Sequence, residues 1–332
     1  MNKILVLHPK GYTRDTFFPD NLKEQLNKLG EVYWNGNERA YTEEELTEVI
    51  KDIDICLTGW EVPKFTKTVL DSAKKLKFIG HIGGNIRFFL PIEVFDRNIV
   101  VTNAAEPMAK HVAEGTLTLM LALLKDVVGN NNSMKYDKAW PGNYMYTDTL
   151  YGKRVGLVGL GRIGRYLIKL LKPFDVQISV YDPYIPETVE DELGIKLTTL
   201  DDVLMNSDII SIHAASTEET YKMLDLEKLQ LIPYGTYLIN TARAAIFDES
   251  ALIAELKRGR FRAALDVFHQ EPLPADNDLR RLPNVILTPH MVGMVAETRH
   301  EMTQCVINDL KLFLKGEKPK FQITKHMYNI MA

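Results

Sequence analysis

The feature that most constrains this chain is the run Val-Gly-Leu-Val-Gly-Leu-Gly-Arg-Ile-Gly-Arg-Tyr-Leu-Ile-Lys-Leu-Leu, from Val155 to Leu171. A short apolar strand, three glycines spaced G-x-G-x-x-G and an amphipathic helix follow one another without a gap. Gly159 permits the tight turn. Gly161 lets the backbone approach a pyrophosphate without a Cβ clash, and Gly164 lets the helix pack closely on the strand. A helix opening at such a loop offers unpaired N–H groups and the positive end of its dipole to an anion. The next strand, 177–181, ends on Asp182, eighteen residues past Gly164. A carboxylate there accepts hydrogen bonds from adenosine ribose hydroxyls and repels a 2′-phosphate, so the unit predicts NAD rather than NADP. Gly159, Gly161, Arg162, Ile163, Gly164 and Asp182 are its cofactor-binding candidates. Arg162 suits a pyrophosphate contact and equally suits a solvated helix start.

This unit occupies only part of 332 residues. Single cores stop growing at roughly 250–300 residues, so two domains are expected. Short apolar runs alternate with helical patterns from the start. Strands are predicted at 4–7, 32–34, 53–57, 78–80 and 99–102, with helices at 18–29, 43–52 and 66–73 between them. Thr42, followed by Glu43, Glu44 and Glu45, marks a helix start. A long helix over 107–128 is apolar on most faces and must be buried on most faces. The Asn-, Gly-, Pro- and aromatic-rich stretch 130–146 reads as loop. A second series places strands at 154–158, 177–181, 209–213, 237–240, 263–266 and 285–287, before a last amphipathic helix at 295–315. The pattern predicts an α/β fold: two Rossmann-like, doubly wound domains with mainly parallel sheets and a cleft between them. The second, NAD-binding domain is expected over 104–293. The first, substrate domain covers 1–103, with 294–332 either returning to it or extending the second.

Composition narrows the function class. The net charge is −4 with acids and bases interspersed, and no basic face or polybasic arm suggests nucleic acid or anionic lipid. Cys56 and Cys305 are far apart in apolar settings and form neither a disulfide framework nor a metal motif. No metal site is expected. The opening residues read as a strand rather than a signal peptide, and no apolar run is long enough to span a bilayer. A cytoplasmic protein is expected.

Three polar residues stand just after strands of the second series: Arg243, Glu271 and His290. Open parallel sheets bind ligands outside the carboxyl ends of their strands. Alone, each has a bland reading: a surface cation, a turn residue before Pro272, a structural histidine. Their order and surroundings give more. The motifs Gly-Leu-Gly-Arg-Ile-Gly164, Asn240-Thr-Ala-Arg243, Leu265-Asp-Val-Phe-x-x-Glu271-Pro, Leu287-Thr-Pro-His290, and Val101-Thr-Asn ahead of His111-Val-Ala-Glu114 resemble the D-isomer-specific 2-hydroxyacid dehydrogenases. They cover most of 99–293, whereas the first hundred residues match in pattern more than in motif.

The resemblance implies two Rossmann-like domains around an active-site cleft, a C-terminal helix returned to the first domain, and a homodimer using the long helix. It also implies reversible hydride transfer between NADH and the carbonyl of a small 2-keto acid. Arg243 would hold the substrate carboxylate and carbonyl. His290 would exchange the proton with the substrate oxygen. Glu271 would orient the imidazole and favour its charged form. Asp266 lies where the family contacts the nicotinamide carboxamide, and equally suits capping of local backbone. His213, Thr241 and Ala242 fall near the cofactor. In the first domain, Gly83, Gly84 and Asn85 lie where the family binds the substrate carboxylate through backbone N–H groups.

Departures from the family pattern cluster in the first domain. Arg87 stands near a position where relatives carry acids, and suits either an anionic substituent or a pairing with Glu93. Trp60 and Met108 stand where some relatives carry basic or polar side chains, and point to a non-phosphorylated substrate. Ala244, Ala245 and Ala215 replace two usual glycines and a proline, which marks an outlying subfamily. Glu271-Pro272 argues against a formate-dehydrogenase-like enzyme, whose partner for the histidine is Gln-Pro. The chain ends soon after its last helix, so no appended regulatory domain is expected. The alternative function is an NAD(H)-sensing, corepressor-like binding protein on the same fold, since such proteins keep all three polar residues.

Overall fold

The computed structural model describes residues 1–140 and 147–331; the expected loop at 130–146 therefore lies partly outside the described residues. The chain forms two compact units, Met1–Met108 with Met294–Met331, and Ala109–Gly293. In the first, strands β1 (Lys3–Val6), β2 (Glu31–Trp34), β3 (Ile55–Thr58), β4 (Phe78–His81) and β5 (Val100–Asn103) form a sheet ordered β2-β1-β3-β4-β5. In the second, β6 (Arg154–Val158), β7 (Gln177–Tyr181), β8 (Lys196–Leu197), β9 (Ile209–Ile212), β10 (Tyr237–Asn240), β11 (Arg262–Leu265) and β12 (Val285–Leu287) take the order β12-β11-β10-β9-β6-β7-β8. Every pairing in both sheets is parallel. The expected α/β class with two parallel sheets is the one observed.

Alternation along each strand divides the cores. Ile4, Val6, Ile55, Leu57 and Phe78 face the helices Tyr12–Phe17, Asp20–Asn27 and Ala296–Leu314. Leu5, Leu7, Cys56 and Ile79 face the other side, with Leu46, Val69 and Leu70. The second sheet repeats the arrangement: Val155 and Leu157 pack with Leu167 and Met120, while Val158, Ile210 and Ile212 pack with Leu229 and Leu252. Strands covered on both faces are buried along their length, as β3 and β9 are at all four residues, Thr58 and Ser211 included.

Local chemistry explains where elements begin. Thr42 accepts from the Glu45 N–H and Glu45 from the Thr42 N–H, a reciprocal cap on helix Glu43–Val49. The single helix expected at 18–29 is two, Tyr12–Phe17 and Asp20–Asn27. Pro19 pushes Phe18 out of helical geometry and starts the second. The expected loop after residue 129 is also partly helical. The long helix Ala105–Leu124 ends before Asp126, which is left-handed, and the chain winds again through Val127–Asn132 and a wide turn at Ser133–Asp137. A last helix, Lys325–Ile330, was not legible as more than a tail; Thr324 caps it through the Met327 N–H. Among the described residues no helix is long and apolar enough to cross a membrane.

Two histidines are buried at the carboxyl edge of the first sheet. His8 packs on Phe17 and Phe18 and neither ring nitrogen has a hydrogen-bond partner among the described residues. His81 Nδ1 lies 2.8 Å from Thr58 Oγ1. Burial holds His8 neutral, with smaller contributions from the charges of His81 and Arg14, and lowers it to about 3. Burial alone lowers His81 to about 3. The folded protein therefore refuses protons that the unfolded chain accepts below about pH 6.5. Their stability contribution is full above that pH and falls as the pH drops toward 3. Replacing His8→Leu should gain on the wild type by about 2 kcal/mol between pH 6.5 and pH 5. Urea unfolding across that range reads the difference; a pH-independent difference would contradict the buried neutral state.

Candidate active site

Gly159, after β6, has φ +94°, and its N–H donates to Tyr181 O at 2.8 Å. A Cβ there would stand 2.6 Å from the Ala214 backbone nitrogen. Strand β9 lies beside β6, and its following segment leaves no room for a side chain. Gly161 differs: its backbone suits any residue, and nothing lies within 4 Å of a Cβ built on it. The glycine preserves open space rather than permitting a conformation. Behind it, the helix Arg162–Leu171 starts without a side-chain cap, so its first N–H groups face that space. Arg162 and Ile163 open this helix, and at Gly164 a Cβ would press to 3.3 Å on the Gly159 carbonyl.

Asp182 lies at the tip of β7. One oxygen accepts from the Leu160 N–H at 2.8 Å and the other from the Tyr184 N–H at 2.9 Å. The carboxylate is thus docked on the glycine loop, and each oxygen keeps a further lone pair. His213, just past β9, contacts Ser211 Oγ through Nε2 at 2.8 Å, while its buried Nδ1 has no partner among the described residues. Burial lowers its pKa to about 4, so the ring is neutral. An open cradle, an uncapped helix start, a placed carboxylate and an unpaired imidazole nitrogen fit a dinucleotide.

The next strands deliver the polar group. Asn240, the last residue of β10, locks the turn that presents Arg243. Its Oδ1 accepts from the Ala242 N–H at 3.0 Å and its Nδ2 donates to Arg243 O at 3.1 Å. Arg243 Nη1 donates to Ala242 O, which leaves most of its five donors for a ligand. Burial lowers the guanidinium pKa and Glu271 opposes that shift. Thr241 is turned inward, its hydroxyl 2.9 Å from Thr116 Oγ1.

Glu271 Oε1 accepts from the Phe268 N–H at 2.9 Å, and Oε2 lies 2.7 Å from His290 Nδ1. Burial acts to raise the Glu271 pKa, but the hydrogen bonds from His290 and Phe268 and the charges of His290 and Arg243 outweigh it and hold the group below its usual range. Glu271 therefore stands in electrostatic reach of both His290 and Arg243. His290 is left-handed at φ +52°, an uncommon conformation for a residue with a Cβ. Asp266 holds the segment that carries it. Its Oδ1 accepts from Thr288 Oγ1 at 2.6 Å and from the Met291 N–H at 2.9 Å, and its Oδ2 from the Val292 N–H at 3.3 Å. The backbone-capping reading of Asp266 describes these contacts.

The first-unit candidates form a separate loop. Asn103 Nδ2 donates to Gly84 O at 2.5 Å, the Ala104 N–H donates to Gly83 O at 2.9 Å, and Asn85 Oδ1 accepts from the Arg87 N–H. Met108 closes on Gly84, where a Cβ would lie 2.7 Å from its methyl. Arg87 is turned to the Met331 carbonyl, 3.3 Å away. Asn240, Thr288 and Asn103 escaped the sequence reading as site builders. An asparagine at the end of a strand, preceding a turn, was the available signal for Asn240 and Asn103.

Comparison with known proteins decides the family. The model of the D-isomer specific 2-hydroxyacid dehydrogenase NAD binding domain matches residues 117–292. The chain belongs to this family. It is 37% identical over 294 residues to the glyoxylate reductase of Thermofilum pendens, covering 86% of both chains. It is 36% identical over 294 residues to the D-3-phosphoglycerate dehydrogenase of Methanocaldococcus jannaschii; the match covers 88% of this chain and only 55% of that relative. The solved 2-hydroxyacid dehydrogenase of Ketogulonicigenium vulgare superposes with a TM-score of 0.80 at 27% identity, covering 98% of this chain and 99% of that one. The family comprises oxidoreductases that act on a CH–OH group with NAD(P).

The two glycines separate folding from binding. Gly159→Ala should lose about 1–3 kcal/mol of stability, since strain and a backbone contact coincide. Gly161→Ala should stay within about 1 kcal/mol of the wild type, yet weaken NADH at least about tenfold by filling the cradle. Thermal unfolding and calorimetric NADH titration check both; undiminished NADH binding by Gly161→Ala would remove the cradle.

Proposed function

We propose that the protein interconverts a small, non-phosphorylated 2-keto acid and its 2-hydroxy acid with NAD as hydride carrier. The observation that carries this reading is the grouping of Arg243, Glu271 and His290, with the 2.7 Å Glu271–His290 contact at its centre. The glycine loop at Gly159, Gly161 and Gly164, the helix start at Arg162 and Ile163, and Asp182, His213, Thr241, Ala242 and Asp266 would hold the cofactor. Bound there, it would supply the hydride-transfer chemistry at the substrate C2.

Every other element of the reaction falls to side chains. Arg243, planar and short of internal partners, grips the substrate carboxylate and carbonyl oxygen and draws electron density toward that oxygen. Glu271 accepts at Nδ1 of His290, which fixes the ring and leaves Nε2 to carry the exchanged proton. In reduction that proton goes to the oxygen at C2; in oxidation it returns to Nε2. The partial burial of Arg243 strengthens its grip, because water competes less for its donors. In the first unit, the N–H groups of Gly83, Gly84 and Asn85 are assigned to the substrate carboxylate.

Asp182 supports NAD over NADP: with its oxygens at the ribose edge of the loop, a 2′-phosphate would meet a like charge. Uncharged Trp60 and Met108 support a substrate without phosphate, as does the glyoxylate reductase relative matched over most of its length. Val127, Met134, Tyr136 and Trp140 are exposed on the segment after the long helix, and a second copy of the chain is assigned to cover them.

A panel of 2-keto acids assayed by NADH absorbance tests the reading. Arg243→Ala should lower kcat/KM by about 10²–10³-fold and His290→Gln by about 10²–10⁴-fold, both with NADH affinity retained. Tight NADH binding without turnover of any acid would favour an NAD(H) sensor. Asp182→Ala should narrow the preference for NADH over NADPH; a wild type that prefers NADPH would sink the cofactor assignment.

A further inference from the structure

Beside the loop at Gly83 and Gly84, the carboxyl edge of the first sheet carries an arginine that no described acid partners. Arg299, in helix Ala296–Leu314, lies over two rings, 5.3 Å from the Phe17 centroid and 5.8 Å from that of Trp60. The rings meet edge to face at 5.2 Å. Arg299 Nη1 donates to Thr16 Oγ1 at 2.6 Å, which fixes the fork in its plane. Stacking occupies the faces of a guanidinium and leaves its edge N–H groups directed outward.

The surroundings hold further unsatisfied polar atoms. Thr298, next in the chain, is buried with no partner for Oγ1 among the described residues. His8, fully buried against Phe17, has no partner for either ring nitrogen among the described residues. Gly59 accepts the close approach of that imidazole, for a Cβ would fall 2.2 Å from His8 Nε2. Trp60 follows immediately. The same Cβ would lie 3.3 Å from the Ile82 carbonyl, just ahead of Gly83. The aromatic platform and the glycine loop are therefore neighbours on one sheet edge. Buried donors and acceptors left unpaired are unusual in a folded chain and mark a place that a polar group completes.

We infer that Arg299, set on Phe17 and Trp60, receives a second carboxylate carried by the substrate, so that the preferred substrate is a 2-keto dicarboxylic acid. The inference rests on the dehydrogenase reading for what the Gly83–Gly84 loop holds. With the C1 carboxylate on that loop, the rest of the substrate extends along the sheet edge past Trp60 toward Arg299. Its terminal carboxylate takes N–H groups of Arg299 that do not bond Thr16, side by side. A planar guanidinium fork matches the two oxygens of a carboxylate.

The test pairs acids of equal length: 2-oxoglutarate against 2-oxopentanoate, and oxaloacetate against 2-oxobutyrate. Initial rates with NADH and calorimetric binding in the presence of NAD⁺ are measured on the full chain. The wild type should favour each diacid roughly ten- to hundredfold, the worth of a charge-assisted pair. Arg299→Met should lower the diacid-to-monoacid ratio at least about tenfold, chiefly through KM. Arg299→Lys, which keeps the charge and loses the fork, should fall between. Equal binding of the two acids by the wild type, an unchanged ratio in Arg299→Met, or tighter binding of 3-phosphohydroxypyruvate than of either diacid overturns the inference. Preferential binding of diacids without turnover of any acid would support it and remove the dehydrogenase reading; turnover of monoacids alone would do the reverse.

Discussion

Seven strands running in one direction are the constraint on which the second unit's chemistry depends. In a parallel sheet every strand delivers its carboxyl end to the same edge, so residues far apart in the chain become neighbours there. The glycine loop after β6, Asp182 after β7, His213 after β9, Arg243 after β10, Asp266 after β11 and His290 after β12 all follow from that geometry. The rigidity comes from cores on both faces, which leave the strands no slack in register. An antiparallel strand in the middle of this order would send its successor residue to the far edge.

Placement at an edge is coarse, and the final positioning is local. Asn240 folds its own turn back on Ala242 and Arg243, so the arginine enters with its backbone fixed. Asp266 does the same for the next segment, with one buried carboxylate gathering Thr288, Met291 and Val292 around His290. The left-handed backbone of His290 persists because neighbours on both sides are tied. Glu271, half exposed, then needs only one oxygen for the imidazole and one for the Phe268 N–H. Buried carboxylates and amides hold the backbone, and more exposed groups are left for chemistry.

The first unit uses the same architecture for a different end. Its carboxyl edge carries imidazoles, hydroxyls and an arginine on aromatic rings rather than a phosphate cradle. His8 and His81 are neutral because burial removes the water that would solvate their charge. Trp60 and Met108, read from sequence as departures from the family pattern, are both in contact with neighbours. Trp60 braces Phe17 beneath Arg299, and Met108 covers Gly84. Arg87, read from sequence as suited to an anionic substituent or to Glu93, donates through Nη1 to the Met331 carbonyl.

The sequence by itself determined the class of fold, the position of the dinucleotide loop and the order of Arg243, Glu271 and His290, because these rest on near-neighbour rules: strand and helix periodicity, glycine spacing, residues just past strands. It misjudged the break at Pro19, the helical turns after Asp126 and the final helix, where capping and packing outweigh composition. Only the tertiary structure decided which polar groups find partners. That Asp266 serves Thr288 and Met291, that Gly161 faces open space while Gly159 faces Ala214, and that Arg299 lies on Phe17 and Trp60 all join residues distant in the chain. Hydrogen bonds and ring contacts act over a few ångströms, and no local pattern states which distant segments the packed sheets bring within that range.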